Sequence, residues 1–167
     1  MAVIQRVNGV MVTMTTYGTW LRGDARGWVE DGRTYPADPV LQVRDAARMR
    51  YPPFCFAAEE LVMIGDMIGR ALIERLSQRV LALAVRTWHA HLVVADSDVT
   101  IDRIVRCAKE AVRYGLRRGR PIWTTGYNKR FCFGLESLQT RIAYVERHNL
   151  ELGWPARPWP FILALDE

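Results

Sequence analysis

The 167 residues contain three histidines, and two of them, His89 and His91, stand one residue apart in the apolar run 87–95, TWHAHLVVA. Alternate side chains of an extended strand share a face. The spacing therefore aims two imidazoles at one point, while Trp88, Ala90, Leu92 and Val94 face the other way. Neutral imidazole is a ligand for divalent cations. Alone, the pair reads more readily as two satisfied core or surface histidines. The third histidine changes that balance. His148 follows Tyr144 by four residues in a stretch of helical spacing, so phenol and imidazole share one helix face. If that helix packs over the sheet, His148 completes a three-nitrogen site with Tyr144 beside the ion. A phenol with a pKa of about 10 is a weak nucleophile in water. Next to a cation that polarises a phosphate oxygen, it can attack phosphorus in line. Tyr127 is the rival nucleophile: it follows Gly126 in a turn but has no histidine partner on its own element.

These groups meet only if the elements that carry them converge. Residues 10–17, VMVTMTTY, alternate apolar and polar with β-branched content and predict a strand. From Gly18 to about Pro53 no period is sustained, which predicts a long loop, either functional or a cover over the sheet. Residues 57–78 place Leu61, Ile64, Ile68, Leu72 and Leu76 at helical spacing. VLALAVRT (80–87) and WHAHLVVAD (88–96) predict two buried strands. Thr100 opens a second helix, with Asp102 in its first turn and Gly119 and Pro121 at its end. Residues 122–133 predict a strand, or a hairpin around Gly126, and 136–150 a last helix. Strand, helix, strand, strand, helix, strand, helix is the order of an α+β, ferredoxin-like split βαβ sandwich, an antiparallel sheet with helices on one face.

Length and a half-hydrophobic composition fit one domain over 1–167, with a loop insertion at about 18–56 and a Pro/Trp-rich tail at about 153–167. Cys55, Cys107 and Cys132 are odd in number and form no CxxC, which excludes an encoded disulfide framework and points to a reducing cytoplasm. The start has no secretion signal, and the most apolar helical stretch is broken by Asp66, Arg70 and Glu74, so no membrane association is expected. Charge is uneven. Residues 1–99 hold 11 basic and 11 acidic side chains, whereas 100–167 hold 12 against 7. Arg106, Arg113, Arg117, Arg118, Arg120, Lys129 and Arg130 lie in the dense part, 103–130, where Glu110 is the one acid. Such a block is either a solvated basic helix face or a polyanion surface. Trp123, Tyr127 and Phe131 interleave it, and Arg22 lies in the aromatic-rich stretch further up the chain. Basic groups for a phosphate backbone and aromatics for bases make up a single-strand binding surface, with core packing the alternative for Trp123 and Phe131.

The His89-Ala90-His91 triplet with a tyrosine on a later helix resembles the HUH single-tyrosine transposases, and is most similar to the REP-associated tyrosine transposases of the insertion-sequence family. TYGTWLRGDARGWV (16–29), IWTTGYNKRF (122–131) and YVERHNLELGWPARPW (144–159) share the likeness, which covers nearly the whole chain. It implies a ferredoxin-like core that binds single-stranded DNA, often with a hairpin beside the cleavage point. It also implies a divalent metal on the HUH pair plus a helix residue, and Tyr144 as nucleophile, leaving a 5′-phosphotyrosine and a 3′-hydroxyl. Relatives include homodimers that exchange the tyrosine helix, and monomers. Many carry Asn or Gln four residues after the tyrosine. Here His148 takes that place and Asn149 follows it, so Zn2+ joins Mg2+ and Mn2+ as a candidate ion, because imidazole binds zinc better than an amide does. Two other readings stay open: a three-histidine zinc hydrolase, and a non-catalytic nucleic-acid-binding module on the same fold.

Overall fold

The computed structural model describes residues 6–165. The ends of the chain that enter the readings of its start and of its tail lie outside the described residues. Strand β1 (Val7–Thr15) alternates as expected: Val10, Val12 and Met14 enter one core, and Met11 enters a second core on the other face.

After β1 the chain leaves the sheet. The stretch expected to be a loop contains a small hairpin, β2 (Trp28–Glu30) and β3 (Arg33–Tyr35), and a helix, α1 (Pro39–Arg48). The hairpin turns on Asp31 and Gly32, both at positive φ, as a two-residue Asp-Gly turn requires. Asp38 caps α1 by accepting a hydrogen bond from the Leu41 N–H. No residue of α1 is buried, so this helix adds nothing to the core.

A 3-10 turn at Ala58–Glu60 leads into α2 (Leu61–Leu76), followed by β4 (Val80–Val85) and β5 (His89–Ala95). Helix α3 (Ile101–Leu116) begins at Thr100, whose hydroxyl accepts from the Arg103 N–H. It stops before Gly119 because Arg117 adopts the left-handed conformation. Residues 122–133 form no hairpin: Trp123 makes an isolated bridge to Thr16, and β6 runs Asn128–Phe133. Helix α4 (Gly134–Glu151) follows directly.

The sheet order is β4-β5-β1-β6, every pair antiparallel. With α2 and α3 as crossovers, this is the ferredoxin-like split βαβ arrangement. The expectation of helices on one face holds for α2 and α3, which pack with Val12, Leu92 and Val94. Helix α4 packs on the opposite face, where Leu138, Ile142 and Val145 meet Met11, Val93 and Cys132. The order of elements alone does not say on which side a helix after the last strand returns. The tail closes over α2: Trp159 is 2% exposed and donates its indole N–H to the Val62 carbonyl. Gly65 and Gly69 make room for it, since a Cβ at either would lie 2.0 Å from the Trp159 or Phe161 ring. Among the described residues no helix is long and apolar enough to cross a membrane.

Candidate metal centre

The interior strand β5 presents His89 and His91 on the α4 face, and α4 brings His148 over them. Ring centroids are 4.7 Å apart for His89 and His91, 4.7 Å for His91 and His148, and 5.7 Å for His89 and His148. One ligand atom from each lies within 4.8 Å of the others. Two nitrogens on one ion of zinc size stand at most about 4.2 Å apart. Small side-chain rotations therefore bring the three together on an ion.

The three imidazoles suit that use. Burial, then the charges of His148 and Arg86, pushes His89 down to about 4. Burial and the neighbouring histidines push His91 down to about 3. Burial also lowers His148. All three are neutral at pH 7 and keep a lone pair for a metal. Two of their ring nitrogens, His89 Nδ1 and His148 Nε2, are buried without a hydrogen-bond partner. A buried polar atom left unpaired asks for an explanation, and a cation supplies one. His91 Nδ1 is 2.9 Å from Thr13 Oγ1, its register partner on β1. With Nδ1–H donating to that hydroxyl, Nε2 is left as the ligand atom. The residues therefore fit a divalent ion; they do not choose which.

Tyr144, half-buried, stands one turn before His148, its ring 5.0 Å from that imidazole and 5.5 Å from His91. All four groups come from one chain, so a single copy assembles the site. Its surroundings include residues the spacing did not single out. Arg86 donates to the His148 carbonyl at 3.1 Å and to Glu151 at 3.1 Å, and Glu151 lies 3.9 Å from His148 Nδ1. Only the pair His148 and Glu151 was readable, as neighbours at i and i+3. Trp88 lies outside β5 and does not face away: its ring is 4.0 Å from that of His89. Trp20 packs on Trp88 at 5.7 Å, and Arg26 lies over both indoles. Asn149 is fully buried and donates to Leu83 and Ala156 carbonyls, which makes it structural.

The candidate DNA-binding side chains are not gathered here. Arg106 and Arg113 ride on α3, on the sheet face away from the histidines, and Arg117 caps that helix. Arg118 pairs with Glu60, and Arg120 donates to the Pro52 carbonyl and lies over Tyr17, Tyr51 and Phe54. Arg22 grips Asp45 through Nε and one terminal nitrogen at 2.7 Å and meets Glu30 with the other at 3.3 Å. Tyr127 donates to Asp102 at 2.6 Å on the α3 side, and burial with that bond pushes it up to about 12, a poor setting for the rival nucleophile. Trp123 is partly buried against the core and donates its indole N–H to the Lys109 carbonyl, whereas Phe131 is 43% exposed. On the edge strand β6, Lys129 lies over Phe131 while Arg130, paired with Met11, is on the histidine face. The basic block thus runs mostly behind the site, not beside it, because α3 and α4 take opposite faces.

No protein-family model matches the chain, and no curated protein matches it. A solved structure does: a REP-associated tyrosine transposase bound to a REP hairpin, with TM-score 0.50 and 14% identity over 96% of this chain and 79% of that one. At that identity the likeness is one of fold.

Proposed function

We propose that this chain is a metal-dependent single-stranded DNA endonuclease and strand transferase with Tyr144 as its nucleophile. The observation that carries the reading is the position of Tyr144, whose ring lies within 5.5 Å of two neutral histidines, buried His91 and half-buried His148, that can share an ion. His89, His91 and His148 would hold the ion, with Mn2+, Mg2+ or Zn2+ as candidates. When bound, it would supply a positive charge that polarises a phosphate oxygen. Tyr144 would attack phosphorus, and the bond to the 3′ oxygen would break. A 5′-phosphotyrosine and a 3′-hydroxyl result; the proton lost by the phenol is balanced by the one gained at the 3′ oxygen. The phosphotyrosine keeps the phosphodiester's energy, so rejoining needs no nucleotide cofactor. The hairpin carried by the structurally similar transposase supports a target beside a DNA hairpin.

The three-nitrogen donor set also suits a zinc hydrolase with an activated water. One experiment separates the two: end-labelled single-stranded hairpin oligonucleotides in Mg2+, Mn2+ or Zn2+, resolved on a denaturing gel. A slow, protease-sensitive labelled band formed by wild type and absent from Tyr144→Phe and His89→Ala supports the transferase. Cleavage that persists in Tyr144→Phe without an adduct supports the hydrolase.

A further inference from the structure

We infer that Arg26 is a phosphate clamp at the mouth of the histidine site, holding a backbone phosphate that flanks the cleaved one. The inference rests on the nuclease reading and adds a residue that the triplet and the tyrosine do not imply.

Arg26 is built into place from three sides. Its Nε and one terminal nitrogen grip Asp24 at 2.7 and 2.8 Å, and that second nitrogen also donates to the Thr19 carbonyl at 2.9 Å. Its carbon centre lies 4.2 Å from the Trp20 ring centroid and 4.8 Å from that of Trp88. Trp88 in turn rests on His89. Asp24 is only 6% exposed and the Arg26 side chain 43%. Among the described residues the other terminal nitrogen, Nη1, makes no hydrogen bond. The guanidinium is therefore fixed along one edge and without a protein partner along the other, and the Trp88 indole links it to a candidate ligand.

An arginine needed only to neutralise Asp24 could do so without lying over two indoles. Arg22, four residues earlier, is such a case: it grips Asp45 through the same two nitrogens, its remaining terminal nitrogen is taken by Glu30 at 3.3 Å, and among the described residues it lies over no indole. A fixed guanidinium loses little freedom on meeting an anion, and its chemistry suits a phosphate oxygen. The hairpin and the tight turn before it, unexplained by the sheet, then have work to do: they carry Arg26 to the site.

The test measures binding apart from cleavage. A fluorescein-labelled, mixed-sequence single-stranded 20-mer is titrated with Tyr144→Phe protein in Mn2+ across a range of salt. Arg26→Gln and Asp24→Asn are each made in that background, and thermal melts verify folding. Arg26→Gln is expected to bind about tenfold more weakly and to flatten the slope of log K against log salt by about 0.7, the loss of one phosphate contact on a single strand. Asp24→Asn keeps the charge of Arg26 and frees its fork; it should weaken binding with the slope retained. An Arg26→Gln variant that melts like its parent and binds with the parent's affinity and slope overturns the clamp while leaving the nuclease reading intact. No binding by the Tyr144→Phe parent or by wild type overturns both.

Discussion

Thr13→Val tests the link between β1 and the metal centre. The substitution keeps shape and β-branching, and it removes one hydroxyl, the partner of His91 Nδ1 at 2.9 Å. His91 is 6% exposed, so water cannot readily replace that partner. Leaving a buried donor unpaired costs about 1–3 kcal/mol, which for a domain of this size lowers Tm by roughly 2–4 °C per kcal/mol. The effect on metal is separate. With Nδ1–H no longer held, the ring samples both tautomers and more orientations, and loss of such a supporting contact typically weakens metal binding about 10–100-fold. Calorimetric titration with Mn2+ and Zn2+ measures this, beside Thr13→Ser, which restores the hydroxyl and should bind within about threefold of wild type. A Thr13→Val protein that loses thermal stability yet binds both ions as wild type does would refute the role given to the bond: Thr13 would then be a packing residue, and His91 would need no help to present Nε2.

Three further outcomes follow from the geometry. In chelator, stability should be full above about pH 6.5 and fall as pH drops toward 4, because the unfolded chain takes up protons that buried His89 and His91 refuse. His89 alone makes this loss on the order of 3 kcal/mol, read by denaturant melts across the window, and a flat profile there would contradict neutral, buried imidazoles. Gly65→Ala should destabilise by about 1–3 kcal/mol, although alanine is the better helix former, because its Cβ would sit 2.0 Å from Trp159. Adding Trp159→Ala should recover none of the stability of wild type but remove the further cost of the alanine. Tyr127→Phe should lose the bond to Asp102 and still form a covalent DNA adduct, measured on the same denaturing gel; loss of the adduct would return Tyr127 to candidacy.

The residues that could do chemistry were readable because their periods are local. Two residues apart on a strand and four apart on a helix are rules about neighbours in the chain, and β5 and α4 form where those rules put them. What was not readable is set by tertiary choices. Whether α4 and α3 share a face decides whether the basic block lines the histidines, and nothing in either helix's own stripe encodes the answer. Thr13 is visible as a polar residue in an alternating strand, but its pairing with His91 depends on register across 78 positions. Short elements escape for another reason. Strands β2 and β3 have three residues each, too few to show a period, although Asp31-Gly32 and Asp38-Pro39 are turn and cap signals in plain view. Gly65 and Gly69 likewise read as weak points in a helix, when they are the surface on which the tail docks.

Asn149 explains how one helix can both hold the fold and carry the reactive groups. Leu138, Ile142, Val145 and Asn149 form the buried row of α4, spaced three and four apart. At the end of that row, the Asn149 side-chain amide donates to the carbonyls of Leu83 on β4 and Ala156 in the tail, 2.9 Å each, and the Asn149 main-chain carbonyl accepts from the N–H groups of Leu152 and Trp154. Four bonds on one residue fix the rotation of the last turn about the helix axis. Tyr144 and His148 each precede a member of the buried row by one residue, a turn of about 100° around the axis. They therefore form a second row, beside the first, that overhangs His89 and His91 instead of entering the core. The polar amide that α4 spends on structure is separated from the imidazole that faces the ion, so the ligand can be an imidazole without loosening the helix. The order His148-Asn149 thus places a candidate ligand next to its anchor, and the anchor determines where the ligand points.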